Sequence, residues 1–348
     1  MTTELIKIRG LMQNSDDFMR AGNLLKNGEV VAIPTETVYG LAANAFDEDA
    51  VKKIFIAKGR PQDNPLIVHI SEFDDLAEIT SEIPESALIL AEKFWPGPLT
   101  MILKKNDKIP MAVTAGLSTV AVRFPSHIYA RAIIETAGVP LAAPSANRSG
   151  KPSPTTAQHV MRDLSGLIPM ILDGGECDVG LESTVIDLTG DVPTLLRPGG
   201  ITLRELREAL GNVAVNPKIL EEVSDNEQVA SPGMKYKHYA PSAPVVIVDG
   251  EALAFRDYVC RNAADKSIAV LCFAEEQHLF DGFDFRVIPY GNRTNPAELA
   301  HGLFAALRSL DDISADIIYA REPEVGDGME LAVVNRLSRA AGFTRISV

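Results

Sequence analysis

Three short polar motifs hold the groups best suited to chemistry: Pro34-Thr35-Glu36-Thr37-Val38-Tyr39-Gly40, Lys58-Gly59-Arg60 and Ser145-Ala146-Asn147. Hydroxyls, a lysine, arginines and an amide are what a site needs to hold a polyanion beside a small zwitterion. Each motif stands where a predicted strand or helix ends, the place where open α/β sheets put their ligands. The usual nucleotide fingerprints are missing. The sequence has no Gly-x-x-x-x-Gly-Lys-Ser/Thr loop, and no Gly-x-Gly-x-x-Gly follows a strand, which argues against a phosphate-loop ATPase and a dinucleotide dehydrogenase. His-Glu-x-x-His and Gly-x-Ser-x-Gly are also absent, which removes the commonest zinc and serine hydrolase readings.

Taken singly, each residue has a plainer reading. Thr35 and Thr37 suit turn chemistry as well as a binding site. Lys58 and Arg60 follow a predicted helix, where basic residues often only complement the helix dipole. Their functional reading is a phosphate clamp, with arginine forking two oxygens and lysine supplying a point charge. Asn64-Pro65 then turns the chain into a strand carrying His69, a position more often filled by a structural histidine. Arg123 ends the apolar strand Thr119–Phe124. An arginine there requires an anion, either a structural carboxylate or a ligand. Ser153, Ser183-Thr184 and Arg197-Pro198-Gly199 repeat the pattern of polar groups at strand ends. Their recurrence within one region carries more weight than any member. Cys177 lies in Gly174-Gly175-Glu176-Cys177-Asp178, where neighbouring acids raise rather than lower a thiol pKa.

The elements that must position these groups read as mixed α/β. Ser15 opens a helix with acids in its first turn and the apolar stripe Phe18, Ala21, Leu24 and Leu25; Asn27-Gly28 closes it. Strands are predicted at 30–33, 66–70, 99–103, 119–124, 140–143, 169–172, 184–188 and 194–196, and helices at 48–57, 85–94, 127–137 and 156–164. Thr202 with Glu205 makes a capping box for a further helix. The pattern lapses over 214–243, which reads as a linker between a domain spanning 1–213 and a second spanning 244–348. Beyond it, strands alternating with helices predict βαβ units and a smaller, Rossmann-like parallel sheet. The linker carries two lysines, a histidine and two tyrosines between Lys235 and Tyr239. Such a segment suits closure over a nucleotide, its plainer reading being a solvated tether.

The 348 residues carry a formal net charge of −14. That is unfavourable for a surface that grips nucleic acid broadly, so no strong direct nucleic-acid binding is expected. An anionic ligand remains compatible if the basic side chains gather in one cleft. The three cysteines have no paired spacing, which suits a reducing cytoplasm and argues against a zinc site. No apolar run reaches membrane-spanning length, and the N-terminus has no signal-peptide pattern.

Pro34–Leu41, Lys58–Pro61, Asn64–Leu66, Phe94–Thr100, Arg123–Pro125, Ala143–Asn147 and Glu182–Val185, with His238–Pro241 downstream, together resemble the YrdC/Sua5 family in its two-domain Sua5 form. The resemblance covers nearly the whole chain. It implies a YrdC-like twisted mixed sheet with flanking helices for the first domain. It also implies a nucleotidyltransferase activity, L-threonylcarbamoyladenylate synthesis: L-threonine, bicarbonate or CO2, and ATP give threonylcarbamoyl-AMP and pyrophosphate, with Mg2+ on the phosphates. The product would pass to a downstream tRNA threonylcarbamoyl transferase for modification of adenosine 37. By the same resemblance Thr37, His69, Arg123, Ala143 and Ser183 would meet threonine. Lys58, Arg60, Asn64, Thr119, Ser145, Asn147, Ser153 and Arg197 would meet ATP, with Tyr236 closing over it. Lys58, Arg60, Ser145 and Asn147 would carry catalysis, and no metal-ligating residues are expected. The competing readings are an RNA-binding module without catalysis, and carbamoyl transfer for metallocentre assembly. The latter lacks here the paired-cysteine zinc fingers of larger proteins that contain a related domain.

Overall fold

Residues 30–33 show how the larger domain is layered. Val31 and Ile33 pack with helices Ser15–Lys26 and Ile128–Ala137 on one face of a sheet. Val30 and Ala32 face the opposite core, beside helices Glu48–Lys58, Glu85–Phe94, Ala157–Leu164 and Leu203–Leu210. Such two-sided burial turns an alternating strand into a continuous apolar run. A computed structural model describes residues 1–221, 239–263 and 266–348.

The larger sheet has eleven strands. In spatial order they are Glu4–Lys7, Met170–Asp173, Val31–Ile33, Gly40–Asn44, Leu141–Ala142, Ile67–His69, Thr119–Arg123, Leu99–Lys104, Thr184–Asp187, Thr194–Arg197 and Ala214–Val215. Parallel and antiparallel neighbours mix: Ile67–His69 runs parallel to Thr119–Arg123, which runs antiparallel to Leu99–Lys104. The predicted helices and strands are present, with ends shifted by a residue or two. The sequence reading missed the edge strand Glu4–Lys7, the return strand Gly40–Asn44 and the one-turn helix Met111–Thr114. One linker boundary also needs correction. Ala214–Val215 pairs with Thr194 and Leu195, and the 3-10 turn Pro217–Ile219 buries Ile219 in the first core. A two-residue strand has no period to detect.

Helices cover one sheet face only in part. The apolar residues Ile67, Ile102, Ala121, Val185 and Leu196 cluster with one another and, among the described residues, with no helical residue. Side chains two apart share a face, so His69 stands beside Ile67, and Arg123 beside Ala121, on this open stretch. The polar cleft lies here.

The second domain is a five-stranded sheet, parallel throughout, in the order Arg286–Pro289, Ile268–Cys272, Ile317–Ala320, Val245–Asp249 and Arg345–Ser347. Helices Ala252–Arg261, Pro296–Leu310 and Glu330–Ala340 join its strands. One of its cores takes in Val38 and Leu181 from the first domain, beside Tyr239, Phe304 and Leu303. At Gly180 the two domains approach so closely that a Cβ would lie 2.6 Å from the His301 backbone.

Gly199 sits just beyond strand Thr194–Arg197, and a Cβ there would lie 2.3 Å from the Thr184 amide nitrogen and 2.5 Å from the Ser183 carbonyl carbon. Both neighbours are backbone, so nothing flexible gives way. Gly199→Ala should cost about 1–3 kcal/mol in a denaturant titration, with an unchanged slope.

Candidate active site

The strand Val31–Ile33 runs into a turn that Thr35 staples from within. Its hydroxyl donates to the Val38 carbonyl (2.6 Å) and accepts from the backbone amides of Thr37 and Val38 (3.2 and 3.3 Å). Thr35 is thus held by turn chemistry, and its oxygen also takes the Thr37 hydroxyl at 2.9 Å, which leaves the Thr37 oxygen to accept from the site. That hydroxyl accepts from Arg123 Nη1 at 2.8 Å. Arg123 Nη2 lies 2.7 Å from Glu36 Oε1, with both side chains about 95% buried. The anion that Arg123 required is therefore a carboxylate of this chain. The pairing is close in distance but incomplete: Arg123 Nε and Nη2 and Glu36 Oε2 have no well-aligned hydrogen-bond partner among the described residues. Burial pushes the Glu36 carboxyl up, and the Arg123 charge and hydrogen bond more than reverse this, leaving it below its usual range.

His69 registers directly with Arg123 across the parallel pair. Its Nδ1 lies 3.2 Å from the Ile67 carbonyl. A carbonyl only accepts, so Nδ1 carries the hydrogen. Burial, then the Arg123 charge, lowers the imidazole pKa to about 3, and the ring stays neutral at physiological pH.

At the other end of the cleft, helix Glu48–Lys58 stops at Gly59 in the left-handed conformation, and Lys58 turns inward. Its ammonium donates to the carbonyls of Ser145 and Asn147 and, at 3.4 Å, to Asn147 Oδ1. No carboxylate lies within ion-pair distance of Lys58 among the described residues. Burial, reinforced by Arg60, pushes it well below the usual lysine range, so this nitrogen would gain from an arriving anion. Asn147 is fixed by its amide donating to the carbonyls of Arg148 and Lys151, both at 2.8 Å, while Oδ1 accepts from Ser145 Oγ at 2.5 Å. Arg60 donates to the carbonyls of Asn64 and Pro65. Arg197 donates from Nε to the Ser183 carbonyl (3.0 Å) and from Nη2 to the Ser183 hydroxyl (3.1 Å), and that hydroxyl is 2.7 Å from Thr100 Oγ1. Burial, then Arg336, lowers Arg197 to about 10.

One cleft is lined by Thr37, Lys58, Arg60, His69, Arg123, Ala143, Ser145, Asn147, Ser183 and Arg197 together. Four cationic side chains thus converge within a chain of net charge −14. Three residues expected at the site do not line the cleft. Asn64 presents its backbone carbonyl to Arg60, and its own Oδ1 is buried without a hydrogen-bond partner among the described residues. Thr119 is half-buried, at the start of the strand whose Ala121 registers with Ile67. Ser153 is buried and donates to Glu182 Oε1. Tyr236 lies outside the described residues. Tyr239 and Glu182 are among the lining residues that were missed, as are Ser149 and Gly150. Tyr239 belongs to the same basic aromatic segment as Tyr236; burial and then Glu182 raise its pKa to about 12. Glu182 precedes the Ser183-Thr184 pair and was quoted only as part of a motif. Cys177 is buried, and burial pushes its thiol far up, which removes it as a nucleophile. Among the described residues no group of three or more His, Cys, Asp or Glu is placed to hold a metal, and no helix is long and apolar enough to cross a membrane.

The family model described as "Telomere recombination" (Sua5, YciO and YrdC proteins) matches residues 23–199, and that described as "Threonylcarbamoyl-AMP synthase, C-terminal domain" matches residues 201–342. The chain belongs to the Sua5/YrdC family. Within it, the chain is 48% identical to the threonylcarbamoyl-AMP synthase of Pyrococcus abyssi over 333 residues, 94% of this chain and 95% of that one. It is 47% identical to the Bacillus subtilis protein of the same name, over 95% of each chain. The solved structure of P. abyssi Sua5 complexed with L-threonine superimposes with a TM-score of 0.92 at 44% identity, covering 100% of both chains. The two-domain Sua5 architecture expected from the motifs is therefore the one present.

His69 makes stability depend on pH in a definite direction. Between about pH 3 and the usual 6.5, the unfolded chain binds a proton here that the native protein excludes. This contribution is complete above pH 6.5 and is lost as pH falls. His69→Gln should flatten the acid limb of the stability curve by up to about 1.4 kcal/mol per pH unit, read from denaturant midpoints between about pH 4 and 6.

Proposed function

We propose that this protein is a threonylcarbamoyl-AMP synthase, converting L-threonine, bicarbonate or CO2, and ATP into threonylcarbamoyl-AMP and pyrophosphate. The observation that carries this reading is the full-length match to a Sua5 structure complexed with L-threonine, joined to a cleft in which four cations converge.

In this reading the threonine end of the cleft is Thr37, His69, Arg123, Ala143 and Ser183. Glu36 already engages Arg123 through Nη2, so the amino-acid carboxylate would be met by the hydroxyls of Thr37 and Ser183 and by the remaining edge of the guanidinium. A neutral His69 is a hydrogen-bonding wall rather than a competing charge. The ATP end is Lys58, Arg60, Ser145, Asn147 and Arg197, with Asn64, Thr119 and Ser153 behind it. The threonine amine forms a bond to the carbon of CO2 and loses a proton, giving a carbamate. A carbamate oxygen then bonds to the α-phosphorus, and the bond from that phosphorus to the β-phosphate bridging oxygen breaks, releasing pyrophosphate. The chain's part is to align the two substrates and to stabilise charge on the phosphates. Lys58 is suited to this because its present partners are neutral carbonyl oxygens. Mg2+ would enter on the phosphates of the substrate. Tyr239 would help exclude water from a carbamate and an adenylate that water destroys. A tRNA threonylcarbamoyl transferase in the cytoplasm would consume the product.

Pyrophosphate release by the purified protein should require ATP, L-threonine and bicarbonate together. Arg60→Ala should lower kcat/KM about 100-fold, close to 3 kcal/mol of transition-state stabilisation, with a melting temperature within a few degrees of the parent. Release that ignores L-threonine, or an unaffected Arg60→Ala enzyme, would sink the assignment. Binding of RNA with a steep salt dependence and no pyrophosphate would favour the binding-module reading instead.

A further inference from the structure

Two buried arginines of the second domain stand behind the wall of the cleft, which neither of them lines. From helix Glu330–Ala340, Arg336 is 0% exposed. It donates from Nε to Glu182 Oε2 at 3.0 Å, from Nη1 to the Pro198 carbonyl at 2.5 Å, and from Nη2 to the Glu182 carbonyl at 3.4 Å. From helix Pro296–Leu310, Arg308 donates to the carbonyls of Pro152 and Ser153 and pairs with Asp163 at 2.8 Å. The two anchor points are joined. Ser153, whose carbonyl takes Arg308, donates its hydroxyl to Glu182 Oε1, and Glu182 takes Arg336. A continuous chain of polar contacts thus runs from one helix of the second domain, through the wall of the cleft, to another helix of the same domain.

Glu182 lines the cleft among groups that gather positive charge. An uncovered carboxylate there would do harm in two ways. It would repel an anionic ligand, and it would compete for Arg197, which lines the same cleft and whose strand continues into Pro198. Burial pushes the Glu182 carboxyl up, but Arg336 first and Arg197 second hold it below its usual range, so the charge persists and must be answered. Breaking a buried pair by removing one partner leaves that charge uncompensated.

We propose that Arg336 is a positioning residue for nucleotide binding: it neutralises Glu182, so that Arg197 and the 149–153 loop keep the arrangement that admits triphosphate, and Arg308 braces the same loop from the other side. This inference rests on the ATP-dependent reading of the cleft. It gives the second domain a task at the site beyond packing against it.

The test is a double-mutant cycle on the full chain, read by ATP binding in calorimetry and by the KM and kcat of pyrophosphate release. Arg336→Met, which keeps the apolar bulk, should raise the Kd and KM for ATP about 10-fold or more, with kcat at saturating ATP within about 3-fold of the parent. Arg336→Met combined with Glu182→Gln, which removes the orphaned charge, should recover most of the lost affinity. A role in stability alone would lower the melting temperature and leave the ATP Kd of the folded fraction unchanged. That result overturns the inference, as does a double variant no better than Arg336→Met. A parent protein that binds no ATP would instead overturn the reading of the cleft and this inference with it.

Discussion

Keeping several cations together in one cleft is the constraint around which the molecule is organised. Each has a different solution. Lys58 is wrapped in carbonyl oxygens, Arg123 is held by Glu36 and Thr37, and Arg197 is laid along the Ser183 backbone and hydroxyl. The carbonyls come from strand ends and from the Ser145–Asn147 loop, so the backbone path is itself part of the electrostatics. Partial rather than full neutralisation is what lets such a site bind anions. Carbonyls stabilise Lys58 and Arg197 without cancelling their charge, whereas the Glu36 carboxylate offsets that of Arg123.

The fold's asymmetry follows from the same need. Helices Ser15–Lys26 and Ile128–Ala137 seal one end of a sheet face with an apolar layer, and the other end is left to polar groups. A helix laid over His69 and Arg123 would have to bury them against apolar side chains. The region is closed from the side by Tyr239 of the linker, and the second domain braces its wall with Arg336 and Arg308 rather than with a greasy helix face.

Much of this was legible in the sequence because it obeys local rules. Apolar runs with helix caps gave the layers, and Arg123 was conspicuous as a charge ending an apolar strand. What escaped was long-range or composed of short elements. Glu36 stands in a turn motif that reads as loop, and nothing local ties it to Arg123. Strand Ala214–Val215 is too short to have a period. Tyr239, three residues beyond Tyr236 in the same segment, lines the cleft, and a segment without apolar period offers no register from which to single it out; Tyr236 itself lies outside the described residues. Arg336 was hidden most completely. Asn335, Arg336, Ser338 and Arg339 look like the wet side of an amphipathic helix, yet every residue from Leu331 to Ala340 is buried. Helical periodicity identifies an apolar stripe; it says nothing about whether the polar stripe meets water or another domain.

Val38 and Leu181, which belong to the first domain in sequence, are members of the second domain's core. During synthesis N-terminal domains fold as they emerge. Here the strands and loops lining the cleft leave the ribosome with those two side chains bare and with Glu182 still lacking its arginine. Helix Glu330–Ala340 is translated after everything it completes. In the order of synthesis, Val38, Leu181 and Glu182 are therefore made well before the residues that cover them, and the wall of the cleft is completed only when that helix docks.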